Sequence, residues 1–79
     1  MSYGYSQRLV FANQKADVNS LGVALGRLCI ERNIPVNEVA ENLGVSRATI
    51  YNWFWGASAP SKQHSELIVS FMRQHKKRN

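Results

Sequence analysis

The sequence predicts a small all-α domain of four to five helices that follows an extended N-terminal arm. The chain has 79 residues, 44% of them hydrophobic, which is enough for one modest core. Apolar residues recur at helical spacing in several stretches, and glycine and proline separate those stretches. We therefore divide the chain into an arm at 1–16, a helical domain at 17–75 and a basic tail at 76–79.

The first 16 residues, MSYGYSQRLVFANQKA, show no sustained helical period. We interpret them as a flexible arm with a short strand at Arg8 to Phe11. The first predicted helix starts at Asp17 or Asn19, because either side chain can cap a helix, and it ends near Asn33. Its apolar stripe at i, i+3, i+4 and i+7 consists of Leu21, Ala24, Leu25 and Leu28.

The second predicted helix runs from Pro35 to Asn42, since the first turn of a helix does not need the N–H that proline lacks. Gly44 follows at a sharp turn, where glycine adopts the left-handed conformation without steric cost. Ser46 then caps a third helix that extends to about Trp55. The apolar side of this second helix carries Val39, Ala40 and Leu43.

Gly56 and the loop that follows it end the third helix, and Ser61 can cap a fourth. The chain after Pro60 reads SKQHSE and then one apolar run, so we expect a single longer helix there. Its apolar residues are Leu67, Ile68, Phe71 and Met72.

The formal net charge of +5 favours a polyanionic partner, because clustered Lys and Arg release counterions from a phosphate backbone. No acidic residue lies between Asn42 and Ser65, which concentrates positive charge in that half of the chain. Cys29 is the single cysteine and no signal peptide or membrane-spanning run is present, so we expect a soluble, cytoplasmic protein of a bacterial host cell.

Catalysis and cofactor binding find no support in the sequence. It lacks a phosphate-binding glycine loop, paired carboxylates and a nucleophile with a recognisable base. His64, His75 and Cys29 do not have the spacing of metal ligands. We expect a binding protein with no metal and no cofactor.

The segment VNEVAENLGVSRATIYNW has the pattern of a helix-turn-helix, two short helices joined by a glycine-containing turn. The small side chain of Ala40 lets the two helices cross closely, Gly44 makes the turn and Val45 fills the corner. Ile50 and Trp53 return the second helix to the core. The motif spans about 35–55.

This pattern resembles the helix-turn-helix family of phage repressors and Cro proteins, including bacterial regulators of the xenobiotic-response-element type. The match covers roughly 21–61, from LG through LGVSRATIYNW to GASAPS. The resemblance implies a lambda-repressor-like domain that places helix 46–55 in the major groove of double-stranded DNA as a homodimer.

The resemblance also implies which residues meet the DNA. Arg47 is expected to pair with guanine and Asn52 with adenine, while Ala48 or Thr49 contacts a thymine methyl. Ser46 lies near a phosphate. The complete predicted set is Ser46, Arg47, Ala48, Thr49, Tyr51, Asn52, Trp55, Asn37 and Lys62.

Two departures from the family pattern stand out. The family commonly begins the motif with a glutamine that anchors the DNA backbone, and this chain has Val36, so Asn37 is the candidate replacement. Apolar residues replace the usual polar ones at Val23, Cys29 and Ile30. Their surface needs a cover, either from the Leu9-Val10-Phe11 stretch of the arm or from a second subunit.

The aromatic run TIYNWFWG divides into two groups at 100° per residue. Ile50 and Trp53 point inward, with Phe54 at the edge of the same face. Tyr51 and Trp55 form an exposed i, i+4 pair that could pack on the sugar-phosphate backbone or on a partner protein.

Two functions from different classes fit these features. The first is a sequence-specific transcriptional regulator, a phage or mobile-element repressor of the Cro-like kind, with RNA polymerase as a further candidate partner. The second is an adaptor that uses the same fold to hold RNA polymerase, a recombinase or a packaging enzyme. DNA binding for packaging or recombination is a variant of the first.

Overall fold

The computed structural model describes residues 5–17 and 19–76, and five α-helices make up that part of the chain. They are α1 (Gln7–Lys15), α2 (Leu21–Arg32), α3 (Val36–Leu43), α4 (Arg47–Phe54) and α5 (Lys62–Lys76). The predicted all-α fold is confirmed. Within the described residues, none of the helices has the length and apolar character needed to cross a membrane.

Helix α1 occupies most of the predicted arm, whose positions 1–4 lie outside the described residues, and the strand predicted at Arg8 to Phe11 is wrong. Ser6 caps the helix, because its Oγ accepts a hydrogen bond from the backbone N–H of Leu9 at 3.1 Å. α1 packs against α2 and α4, so it belongs to the helical domain rather than preceding it. The apolar period was hidden because the buried stripe contains a polar residue, Asn13.

Asn13 is only 1% exposed, and its amide ties three helices together. Nδ2 donates to the carbonyl of Val23 in α2 at 3.1 Å and to that of Phe54 at the end of α4 at 2.7 Å. Arg27 of α2 reaches back and donates to the Asn13 carbonyl at 3.0 Å. A buried amide with these partners fixes the position of α1, since losing them would leave polar groups unsatisfied.

The expected cover over α2 comes from one side of α1, with help from Tyr5, which precedes the helix cap. Leu9 is buried, and Tyr5 is buried with its hydroxyl donating to the carbonyl of Ile34. Val10 is only partly buried and Phe11 is 65% exposed, so the Leu9-Val10-Phe11 stretch does not act as a unit. A helix presents only every third or fourth residue to its neighbour.

Two glycines of α2 allow α4 to approach very closely. A Cβ on Gly22 would lie 2.8 Å from Cβ of Trp53 and 2.9 Å from its backbone oxygen. A Cβ on Gly26 would lie 2.8 Å from Cγ of Phe54. The sequence GVALG in α2 therefore marks a helix-helix contact in which backbone, rather than side chains, forms the surface.

The helix boundaries shift slightly from the predicted ones. α2 is preceded by Ser20, not by Asp17 or Asn19, and it ends at Asn33 in the left-handed conformation with φ 57°. Pro35 precedes α3 instead of occupying its first turn. Gly44 ends α3 with φ 69°, as its predicted role at the turn requires.

Helix α5 is the single long helix expected after Pro60. Ser61 begins it, because its Oγ accepts from the backbone N–H of His64 at 3.2 Å. Ile68 and Phe71 are buried, and Arg32 of α2 donates to the carbonyl of His75 at 2.8 Å near the other end. The predicted basic tail begins at Lys76, the last residue of α5, and its remaining positions, 77–79, lie outside the described residues.

Cys29 is fully buried in the core. Burial raises the pKa of its thiol to about 12, with a smaller contribution from the Glu38 carboxylate. At neutral pH the side chain is therefore an uncharged, small apolar group. With Val23 it forms part of the surface that the sequence predicted to need a cover.

Candidate nucleic-acid interface

Helices α3 and α4 form the helix-turn-helix, and local hydrogen bonds fix the angle between them. The backbone N–H of Val45 donates to the carbonyl of Ala40 at 3.1 Å, which closes the turn after α3. Ser46 caps α4, since its Oγ accepts from the backbone N–H of Thr49 at 3.2 Å. The Ser46 and Thr49 hydroxyls also lie 3.0 Å apart within hydrogen-bond distance.

One side of α4 is entirely inside the core. Ile50 and Phe54 are fully buried and Trp53 is 3% exposed; we call these three residues the inner face. Phe54 was predicted beside Trp53 at the edge of this side, and the structure buries it completely. Phe54 faces the glycine surface of α2, and that close approach takes it deeper than helical periodicity indicates.

The opposite side of α4 is open to solvent. Arg47, Ala48, Asn52 and Trp55 are exposed, and together we call them the outer face. Thr49 is half-buried beside the cap. Arginine and asparagine are residue types that can read base edges. Both project from a short, capped helix and are not packed in the core.

Arg47 is held from α3. Its Nη1 donates to Oδ1 of Asn37 at 3.3 Å across the helix-turn-helix. Beside this pair runs an open groove of about 390 Å³ whose lining includes Glu41 and Gly44. Asn37, the predicted replacement for the missing glutamine, thus supports the side chain next to it, and Arg47 retains further N–H donors for a ligand.

Asn52 and Trp55 also form a pair. The indole Nε1–H of Trp55 donates to Oδ1 of Asn52 at 3.3 Å. The Trp55 ring stacks on that of Tyr51, with centroids 6.3 Å apart and planes at 26°. Trp55 is 39% exposed, whereas Tyr51 is half-buried against the core, so the predicted exposed aromatic pair has only one well-exposed member.

The same two aromatic rings line a second groove that the sequence interpretation did not include. This groove, of about 340 Å³, lies between α4 and the start of α1, and its lining is completed by Ser6 and Leu9. The exposed Arg8 lies between those two residues in the chain. A Ser cap just before a helix-forming stretch was the available signal for α1, and the polar Asn13 obscured it.

Lys62 lies apart from the other predicted residues in the chain. It is the exposed first residue of α5, just after the loop that leaves α4. The structure thus brings Arg47, Ala48, Asn52 and Trp55 to one face, pairs Asn37 with it, and uses Ser46 and Thr49 mainly to cap the helix.

The sequence was compared with known protein families, and the family found has the same helix-turn-helix architecture. A family model described as helix-turn-helix covers residues 25–74, which includes α3, α4 and most of α2 and α5. Comparison with curated proteins and with solved structures gave no match. The fold and the exposed face define a DNA-binding domain of the helix-turn-helix class. The chain belongs to the Cro-like helix-turn-helix family of DNA-binding regulators.

Proposed function

We propose that this protein is a sequence-specific regulator that inserts α4 into the major groove of double-stranded DNA. One observation carries the proposal most directly: α4 buries its inner face completely while its outer face projects Arg47 and Asn52 into solvent. A helix of this diameter fits the major groove of B-form DNA, where each base pair presents a distinct set of donors and acceptors.

The residues divide into base readers and backbone contacts. Arg47 donates to guanine and Asn52 pairs with adenine, while Ala48 or Thr49 contacts a thymine methyl. Lys62 meets phosphate with its charge, and Tyr51 packs against the sugar-phosphate backbone. Asn37 acts indirectly, because it accepts a hydrogen bond from Arg47 and so supports that side chain. Ser46 caps α4, and the N-terminus of this helix faces a phosphate.

The regulator acts as a repressor that occupies an operator and blocks RNA polymerase, in the manner of a phage or mobile-element protein. It binds as a homodimer, because one small module of this kind makes too few base contacts for a tight specific complex. The exposed Leu67 and Val69 of α5 offer apolar surface to a second subunit. The charge of +5 favours association with DNA.

Selection of bound duplexes from a random pool tests the proposal. We expect recovery of one preferred motif, with two-fold symmetry if the protein binds as a homodimer. Affinity for that motif should fall steeply with salt, because each neutralised phosphate releases counterions. Equal affinity for all duplexes would exclude sequence-specific recognition. A motif without symmetry would exclude binding as a homodimer but not sequence-specific binding.

A double variant, Arg47→Ala with Asn52→Ala, tests the assigned face. We expect it to bind the selected motif no better than random DNA, with its thermal unfolding unchanged. Arg73→Ala is the control for the loss of one positive charge, since Arg73 is exposed on α5 in the part that approaches the end of α2. Retained specificity in the double variant would contradict the assignment.

An adaptor function is the second candidate, and the exposure of Phe11 is the observation that favours it. This ring is 65% exposed on α1, and the ammonium group of Lys15 lies 5.4 Å from its centroid. An adaptor would keep its partner after Arg47→Ala with Asn52→Ala and lose it after Phe11→Ala or Trp55→Ala. The DNA-binding protein is expected to lose its preferred duplex after Arg47→Ala with Asn52→Ala and to keep it after Phe11→Ala.

A further inference from the structure

We propose that Trp55 is a positioning residue for base recognition. Its indole N–H holds the side-chain amide of Asn52 in one orientation and so determines which base Asn52 recognises. The inference rests on the proposed function and deepens it. It gives Trp55 a role in specificity in place of a contact with the DNA backbone. The key observation is the hydrogen bond from Nε1 of Trp55 to Oδ1 of Asn52, 3.3 Å long.

The Trp55 ring is itself held in place. The Trp55 backbone N–H donates to the carbonyl of Tyr51 at 3.2 Å, and the two rings stack at 26°. Tyr51 packs against the core, so the stack is anchored on one side. Such a ring has few alternative positions for its N–H group.

The chain that follows Trp55 also folds back onto Asn52. Gly56 takes φ 83°, and the backbone N–H of Ala57 donates to the Asn52 carbonyl at 2.9 Å. The turn therefore fixes the backbone of both partners relative to each other. The hydrogen bond between their side chains is a feature of a defined turn, and not a chance contact between two free surface groups.

The chemistry of the two groups makes the orientation selective. The indole nitrogen can only donate, and of the two ends of the Asn52 amide only the oxygen can accept. A rotation of the amide by 180° would bring its NH₂ group against the indole N–H and lose the bond. Trp55 therefore distinguishes the two otherwise similar orientations of Asn52.

That choice determines what the amide presents to DNA. Asn52 is exposed, and within the described residues no hydrogen bond involves its Nδ2, so its N–H groups have no competing partner. Adenine presents an N6 donor and an N7 acceptor side by side. Of the two orientations of the Asn52 amide, only one matches this pair. A fixed amide reads one arrangement of donor and acceptor, whereas a freely rotating amide accepts either.

The test compares four duplexes that differ only at the base pair whose preference disappears in Asn52→Ala. The key variant is Trp55→Phe, which keeps an aromatic ring on Tyr51 and removes the N–H. Because one such hydrogen bond contributes modestly, we expect discrimination among the four duplexes to fall about 2- to 10-fold. Affinity for random DNA and its salt dependence should stay unchanged.

A double variant shows whether Trp55 acts through Asn52. In an Asn52→Ala background, Trp55→Phe should cause no further loss of discrimination, since the group it orients is absent. An equal loss of affinity for all four duplexes in both backgrounds would assign Trp55 to the DNA backbone and overturn the inference. Full discrimination in Trp55→Phe alone would overturn it too.

A measurement without DNA separates this inference from the proposed function. The NMR signal of the Trp55 indole proton, assigned by its absence in Trp55→Phe, should shift and exchange faster with solvent in Asn52→Ala. An unchanged signal would show that the pair does not form and would overturn the inference while leaving DNA binding intact. Lack of any base preference in the unmodified protein would instead refute the proposed function.

Discussion

The inner and outer faces lie on the eight residues of α4 and its C-cap, Trp55, and are subject to opposite constraints. Trp53 and Phe54 of the inner face meet glycine backbone in α2 so closely that an added methyl group would clash. The outer face is tied to the rest of the domain by the hydrogen bond from Arg47 to Asn37 and by the stacking of Trp55 on Tyr51. Stability and recognition are therefore separable by substitution within one short helix.

Loss of the largest fully buried side chain should have the largest effect on stability. Phe54→Ala is expected to lower the free energy of unfolding by about 3–5 kcal/mol, since it leaves a cavity between α4 and α2. Chemical denaturation followed by circular dichroism would measure the change. A loss below about 1 kcal/mol would mean that Phe54 is not the close neighbour of Gly26 that the structure describes.

Gly22→Ala tests the other side of the same contact. The new Cβ would meet the Trp53 backbone oxygen at 2.9 Å, and backbone cannot rotate away as a side chain can. We expect a destabilisation of about 1–3 kcal/mol. Glu31→Ala, an exposed change on α2, is the matched control and should alter the free energy of unfolding by less than about 0.5 kcal/mol.

Substitution of Gly44, in the turn between α3 and α4, should change the free energy of unfolding through backbone conformation alone. Gly44 has φ 69° and nothing within 4 Å of an added Cβ, so Gly44→Ala introduces no clash. The left-handed conformation still costs a residue with a Cβ about 1–2 kcal/mol. Asparagine tolerates that conformation, as Asn33 does in this chain, so Gly44→Asn should be the milder change in the same unfolding assay.

The outer face should show the smallest effect on stability together with a large effect on binding. Ala48→Glu is expected to change the free energy of unfolding by less than about 0.5 kcal/mol, because the side chain is exposed and a carboxylate suits a helix N-terminus. Binding of the selected duplex should be abolished by repulsion from phosphate. A lower free energy of unfolding, or continued binding of the selected duplex, would contradict the division into two faces.

Local sequence was sufficient for the parts of the fold that local chemistry controls. Ser46 and Ser61 cap the helices they were predicted to cap, and Gly44 takes the left-handed turn. Each of these depends on a few neighbouring residues and on hydrogen bonds that close within one turn. Exposure of Arg47 and Asn52 also follows from helical periodicity once the apolar side of α4 is known.

Helix α1 could not be predicted in the same way. Its buried stripe includes Asn13, whose amide is satisfied by the carbonyl of Phe54, 41 positions away along the chain. A sequence pattern that ranks asparagine as a surface residue cannot detect a partner so distant. The depth of Phe54 was missed for a related reason, because it depends on glycines in another helix.

The sequence by itself therefore determined the existence of helices α2 to α5, the caps of α4 and α5, the turn at Gly44, and the exposure of Arg47 and Asn52 on α4. Only the tertiary structure decided that α1 is a helix, that Tyr51 is half-buried, and that Arg47 of α4 pairs with Asn37 of α3. The physical reason is range: caps and periodicity are settled within a few residues, whereas packing depth and side-chain pairing depend on which distant surfaces meet.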